Sequence, residues 1–280
     1  MKKLIIIGSS GFVGKSLNDY FKHKGNIKII NYSRTEKKNI TSIKDLPKTD
    51  YIVYCINNKD TKISLMYFNH FKKLLKNSSK KIKIVFFSSG AIYGPRTFKK
   101  KFSEKEKIYI NKLNNFSGYK KNYSKEKYLL ESEFQKIAQE GFKVSIARGF
   151  TFYGRHILGY DYLISKIILA AKFKKRFKLN NANIYRSYMH ADDMCRGLIK
   201  IANIASSECP IINLGSDKII DLSKFTKFLN KKFNSKILIS KNNLKKIDFY
   251  IPSLTIAKRY IKLKNTVNFN NAIISLIKTI

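Results

Sequence analysis

Lys3-Leu4-Ile5-Ile6-Ile7-Gly8-Ser9-Ser10-Gly11-Phe12-Val13-Gly14 stands near the start of the chain. The run from Leu4 to Ile7 is apolar without alternation, as expected of a strand buried on both faces of a parallel sheet. Glycines follow at every third position, and then an amphipathic stretch marked by Leu17, Tyr20 and Phe21. Strand, glycine turn and helix in immediate succession are the setting in which G-x-x-G-x-x-G binds a dinucleotide. Gly8 and Gly11 let backbone amides approach a pyrophosphate at the helix N-terminus, where the dipole favours negative charge. Gly14 lets that helix pack closely on the strand.

Outward from this stretch, apolar runs and helical periods alternate. Ile27-Lys28-Ile29-Ile30 reads as a second strand ending in Asn31-Tyr32-Ser33-Arg34, with no carboxylate before Glu36. A carboxylate here would bind a ribose 2′-hydroxyl and repel a 2′-phosphate. Ser33 and Arg34 instead suit a 2′-phosphate, so the expected cofactor is NADP(H), with NAD(H) the alternative. Tyr51 to Ile56 is the next strand, with Asn57-Asn58 at its end, and Leu65 to Leu75 carries helical spacing. Ile82 to Phe87 makes a strand that runs into Ser88-Ser89-Gly90-Ala91-Ile92-Tyr93-Gly94-Pro95. A helix runs through Tyr123 to about Gln139, and Val144 to Ala147 gives a further strand leading into Arg148-Gly149-Phe150-Thr151-Phe152-Tyr153-Gly154-Arg155. Such alternation predicts an α/β fold with a doubly wound parallel sheet that binds ligands beyond the carboxyl ends of its strands.

On the helix, Asn122-Tyr123-Ser124-Lys125-Glu126-Lys127 holds a Tyr-x-x-x-Lys pair. Residues at that spacing share a helix face. A phenol titrates near 10, and a neighbouring ammonium favours the phenolate, so the pair can move a proton to or from a hydroxyl or carbonyl.

The 280 residues, 44% of them hydrophobic, suffice for one large domain or a domain with a smaller lobe. No apolar run approaches the roughly 18 residues of a membrane span. Met1 to Ile7 is too short for a signal peptide and turns straight into glycines. Cys55, Cys195 and Cys209 are scattered and without metal spacing, which fits a reducing cytoplasm, no disulfide framework and no metal. The net charge of +39 admits nucleic-acid or anionic-membrane binding. The lysines are spread from Lys2 to Lys278, however, with little arginine, and that pattern disfavours a nucleic-acid reading surface.

The order Gly8-x-x-Gly11-x-x-Gly14, Ser88 to Gly94, Tyr123-x-x-x-Lys127, Arg148 to Gly154, and Arg186-Ser187-Tyr188-Met189-His190-Ala191-Asp192-Asp193 resembles the extended short-chain dehydrogenases/reductases. More narrowly, it resembles their NAD(P)-dependent nucleotide-sugar epimerase/dehydratase group, in register from Lys3 to about Leu222. The resemblance implies a Rossmann-type domain (1–155 with about 187–209) and a smaller nucleotide-sugar-binding lobe (about 156–186 and 210–280). It implies that Ser89, Tyr123 and Lys127 are catalytic: Tyr123 as acid/base, Lys127 lowering its pKa and holding the nicotinamide ribose, Ser89 bonding the reacting oxygen. Cofactor contacts would come from Gly8, Gly11, Phe12, Gly14, Ser33, Arg34, Asn57, Tyr123 and Lys127. Substrate contacts would come from Ser89, Tyr93, Arg155 and Arg186, with Arg186 gripping the pyrophosphate. His190 and Asp193 are expected to be structural. Homodimerisation through a helix pair is also implied.

Departures from the family pattern narrow the chemistry. Dehydratases of the group carry an acidic pair after the active-site Ser/Thr, where this chain has Gly90 and Ala91. C4 epimerases usually keep the acidic residue after the second strand, which is missing here. The reading is therefore an NADPH-dependent reductase of a nucleotide-linked 4-keto-6-deoxy sugar, in deoxysugar and surface-polysaccharide synthesis. An NAD(P)-dependent 4-epimerase is the alternative. From another class, a catalytically idle member could bind RNA or another polyanion, but Ser89, Tyr123 and Lys127 argue against it.

Overall fold

The computed structural model describes residues 1–33, 39–58, 60–240 and 247–280. The first half runs β1 (Lys2–Ile7), α1 (Phe12–Lys24), β2 (Ile27–Tyr32), β3 (Tyr51–Tyr54), α2 (Thr61–Lys76), β4 (Lys83–Ser89), the single turn α3 (Ile110–Leu113), α4 (Tyr119–Gln139) and β5 (Lys143–Gly149). It continues through β6 (Phe152–Tyr153), α5 (Leu163–Phe173), β7 (Phe177–Leu179), β8 (Ile184–Arg186), β9 (Met189–His190), α6 (Ala191–Asn203) and β10 (Ile211–Leu214). The chain closes with β11 (Ile220–Asp221), α7 (Leu222–Phe233), β12 (Ile237–Ile239), β13 (Asp248–Tyr250), α8 (Thr255–Ile261) and α9 (Phe269–Thr279).

Six strands form one parallel sheet in the order β10-β5-β4-β3-β1-β2. The order of winding reverses at β1, with β2 added on one side and β3 on the other, so a crevice opens beyond the carboxyl ends of β1 and β3, the usual ligand position in such a sheet. The central stretches of the strands, such as Leu4–Ile7 and Tyr51–Tyr54, are apolar on both sides, and both faces are covered. Leu4, Ile6, Val53 and Val85 pack with Leu17 and Phe21 of α1 and with Met194 and Leu198 of α6. Ile5, Ile52, Tyr54 and Phe86 on the other face meet Phe68 and Phe71 of α2 and Leu130 and Phe134 of α4. Phe86 and Phe134 stack with ring centroids 4.5 Å apart. Fully burying such a ring contributes about 1.5–3 kcal/mol, and this contact fixes α4 against β4.

Ile211–Leu214 departs from the expected division. Assigned above to the smaller lobe, it is instead the edge strand of the main sheet, paired with β5 from Ile211↔Ile146 to Leu214↔Gly149. Ile212 and Leu214 are buried in the main core, and that packing outweighs the strand's position in sequence. Smaller sheets lie apart from the six strands: β11-β8-β13 and β12-β7. Among the described residues no helix is long and apolar enough to cross a membrane. The three cysteines are free and buried.

Candidate active site

The glycine turn is built by close packing. A Cβ on Gly8 would meet the backbone of Cys55 and Ile56 at 2.8–2.9 Å, and one on Gly14 would strike Ser9 Cα at 2.4 Å. Neither position has room for a side chain. At Gly11 a Cβ would meet only the Gly8 carbonyl, at 3.4 Å. What the open position at Gly11 suits is the close approach of a ligand to the backbone, next to the unpaired amides of a helix's first turn. These residues therefore fit the diphosphate of a dinucleotide. Phe12 contributes only main chain to this cradle, because its ring stacks on Phe152 in the core, centroids 6.4 Å apart. Ser33 is buried at the end of β2. Arg34, the other half of the 2′-phosphate expectation, lies outside the described residues.

Ser89, Tyr123 and Lys127 converge beyond the carboxyl ends of β3 and β4. On α4, Lys127, Leu130, Glu131 and Phe134 form the buried stripe, and Tyr123 stands one turn before Lys127. The Ser89 hydroxyl accepts from the Ala91 amide at 3.1 Å and stands near the Tyr123 phenol. The Lys127 ammonium donates to the Ile56 carbonyl at 2.9 Å and lies 5.6 Å from the Tyr123 ring centroid. Tyr119, one turn earlier, stacks on Tyr123 at 5.6 Å, and its hydroxyl donates to Asn57 at 2.9 Å. Asn57 thus lies beside the candidate centre.

Burial dominates the electrostatics. It pushes the Tyr123 phenol well above 10, against the lowering pull of the nearby Ser89 hydroxyl, while the phenols of Tyr162, Tyr250 and Tyr119 add to the rise. The lowering by Lys127 that the resemblance implies is overridden in this geometry, since the ammonium is directed at a carbonyl. Burial in turn pushes Lys127 down, with Glu126 and Cys55 opposing. At neutral pH Tyr123 is a protonated phenol: a donor.

Tyr93 is corrected from a substrate contact to a member of a buried network. Its hydroxyl donates to Asn213 and accepts from Arg148, both at 2.9 Å. Arg148 forks onto Glu131, and Ser88 donates to the same carboxylate at 2.5 Å. Arg186 on β8 pairs with Asp248 at 2.5 Å, and its guanidinium carbon is 5.9 Å from the Tyr250 ring centroid. Arg155 is exposed just after Gly154. Asp193, 1% exposed, binds Arg196 and accepts from the amides of Thr266 and Val267, and His190 caps α6 by accepting from the Asp192 amide. Both are structural, as expected. Tyr250, whose ring packs on Phe150 and whose hydroxyl lies 2.8 Å from where Gly90 would carry a Cβ, drew no reading from the sequence, as it lies in a lysine-rich stretch where only the short apolar run Phe249-Tyr250-Ile251 before Pro252 hinted at a strand.

A model of the NAD dependent epimerase/dehydratase family matches residues 61–215, more than half of the chain. The chain belongs to that family. It is thus an NAD(P)-dependent enzyme of the extended short-chain dehydrogenase/reductase type, the class its motifs resemble. Solved family folds overlay nearly the whole chain. RMD from Pseudomonas aeruginosa, complexed with NADPH, is 15% identical at a TM-score of 0.77, covering 99% of this chain and 97% of that one. UDP-glucose 4-epimerase from Thermotoga maritima, solved with UDP-glucose, is 16% identical at 0.75, with coverage of 99% and 97%. dTDP-glucose 4,6-dehydratase from Bacillus anthracis, in complex with NAD, is 14% identical at 0.76, with coverage of 99% and 96%. Compared by sequence with curated proteins, the chain finds no match.

Proposed function

We propose that this family member is an NADPH-dependent reductase of a nucleotide-linked keto-sugar, of the 4-keto-6-deoxyhexose 4-reductase kind. One observation supports it above the rest: the half-buried Tyr123 phenol stands on α4 stacked on Tyr119, with the Lys127 ammonium 5.6 Å from its ring centroid, and desolvation pushes its pKa up, so that it carries its proton at neutral pH. A group so placed gives a proton to a carbonyl oxygen more readily than it takes one from an alcohol. Tyr123 donates that proton, and Ser89 orients the same oxygen. Lys127 contributes positive charge beside them. The glycine turn and the first turn of α1 hold the cofactor's diphosphate, and a reduced nicotinamide, when bound, supplies the hydride. Arg186, exchanging Asp248 for a substrate diphosphate, makes the bidentate contact a guanidinium favours.

Dehydration lacks its acids at Gly90 and Ala91, and a Cβ on Gly90 would stand 2.6 Å from the Phe150 ring. The nucleotide-sugar substrate class draws support from family membership and from the neighbour solved with UDP-glucose. The test is incubation with NADPH and a panel of nucleotide-linked keto-sugars, following cofactor and product together. A reductase consumes NADPH one for one with alcohol formed. The alternative is tested with the corresponding nucleotide-linked alcohols and a catalytic amount of NAD(P)+: an epimerised sugar with no net change in cofactor would instead make it a 4-epimerase, and inactivity in both arms would refute both.

A further inference from the structure

α4 is tied to the chain just past β3 at two successive residues. Lys127 donates to the Ile56 carbonyl at 2.9 Å, and the Tyr119 hydroxyl donates to the Asn57 carboxamide oxygen at 2.9 Å. The two donors stand two turns apart on the helix, about 12 Å along its axis. Their side chains therefore converge from either side of Tyr123, whose ring stacks on Tyr119 with 26° between the planes. Asn58 faces elsewhere: it is buried, and its oxygen accepts from the Asp60 amide at 3.2 Å, at the cap of α2. Asn57 is the exposed member of the pair.

The same turn of chain also borders the glycine loop. A Cβ on Gly8 would stand 2.8–2.9 Å from the main chain of Cys55 and Ile56, so Asn57 is one residue past the wall of the diphosphate cradle. A dinucleotide reaching from that cradle to Tyr123 would pass Asn57 with its nicotinamide half, whose ribose and phosphate oxygens accept hydrogen bonds. A carboxamide has one acceptor oxygen and two N–H donors, and rotation can present either. With the oxygen held by Tyr119, the N–H donors point away from the phenol and the group is set as a donor. Released from Tyr119, it could turn its oxygen towards a phosphate instead, and the contact would be lost.

We infer that Tyr119 is a positioning residue for cofactor binding: it sets the Asn57 carboxamide so that its N–H donors meet oxygens of the cofactor's nicotinamide half. It acts through Asn57 and touches no reacting atom. This rests on the cofactor placement of the proposed function, and not on which sugar is reduced.

The test measures Kd by fluorescence and calorimetric titration in wild type, Tyr119→Phe, Asn57→Ala and the double variant. Two probes are used: NADPH, and adenosine 2′,5′-bisphosphate, which lacks the nicotinamide half. Tyr119→Phe keeps the ring on Tyr123 and removes only the donor. It should raise the Kd for NADPH about two- to tenfold, the worth of one hydrogen bond, and leave the Kd for the bisphosphate unchanged. Asn57→Ala should weaken NADPH at least as much, and the double variant should be no worse than Asn57→Ala, because both changes remove one function. An unchanged Kd for NADPH in Tyr119→Phe would overturn the inference. So would losses that multiply in the double variant, or equal weakening of both probes, which would mark damage to the cradle. Turnover is followed separately: if no keto-sugar is reduced, the reductase reading falls while the Kd comparison still decides the role of Tyr119.

Discussion

Glu131→Leu should cost about 3–5 kcal/mol of stability, the range for leaving one member of a buried ion pair alone. Glu131 and Arg148 have side chains only 5% and 6% exposed. Their pair closes at 2.8 Å through Nη2 and 3.1 Å through Nε, and Ser88 donates to the same carboxylate at 2.5 Å. Leucine nearly conserves the volume, so the cavity contribution is small. What goes is the counter-charge: the guanidinium would keep the Tyr93 hydroxyl as its remaining partner in this network. The exposed Lys136–Glu133 pair, one turn further along α4, makes the contrast, since breaking it should cost under about 1 kcal/mol. Combining Glu131→Leu with Arg148→Leu should recover most of the loss, because apolar groups then replace two desolvated charges. About 1 kcal/mol would persist from the bond lost to Tyr93. Urea unfolding with a common m value measures all three variants. A single-variant cost under about 1 kcal/mol, or a double variant as unstable as the sum of its parts, would refute the assignment of Glu131 as the buried counter-ion.

Four further outcomes are expected. Tyr123→Phe should lower turnover about a hundred- to ten-thousandfold, the range for a lost general acid, with NADPH affinity by fluorescence nearly intact; a tenth of the wild-type rate surviving would contradict its role. Burial moves Lys127 down and Tyr123 up, so as pH rises Lys127 is the first of the two to lose its proton. The alkaline fall in kcat should therefore follow Lys127 and move to higher pH in Lys127→Arg; a limb that stays in place would assign it elsewhere. Arg34→Asp should shift the kcat/KM ratio from NADPH towards NADH, and an unchanged ratio would remove the 2′-phosphate reading. Arg186→Ala should raise KM for the nucleotide sugar about ten- to a hundredfold, a charged hydrogen bond's worth, and an unchanged KM would release Arg186 from the diphosphate.

Much of this protein was legible in residue order alone. Unbroken apolar runs at Leu4–Ile7, Tyr51–Ile56 and Ile84–Phe87 can be satisfied only between two covering layers, so the parallel sheet followed from them. Glycine at positions 8 and 14 and the Tyr123–Lys127 spacing are local constraints: a turn, a close packing and a shared helix face all act within a few residues. What the chain order could not supply was every arrangement made by distant segments. β10 joined the main sheet because Ile212 and Leu214 found their core beside β5. Tyr93 was drawn into the Arg148–Glu131 network by partners far away in sequence. The direction of Tyr123's pKa was decided by desolvation, which depends on everything packed around the ring rather than on the lysine one turn away. Tyr250 reached Phe150 and the space over Gly90 only through the pairing of β13 with β8. Backbone preference and periodicity act locally and can be read from neighbours, whereas burial and long-range hydrogen bonds exist only once the chain has closed on itself.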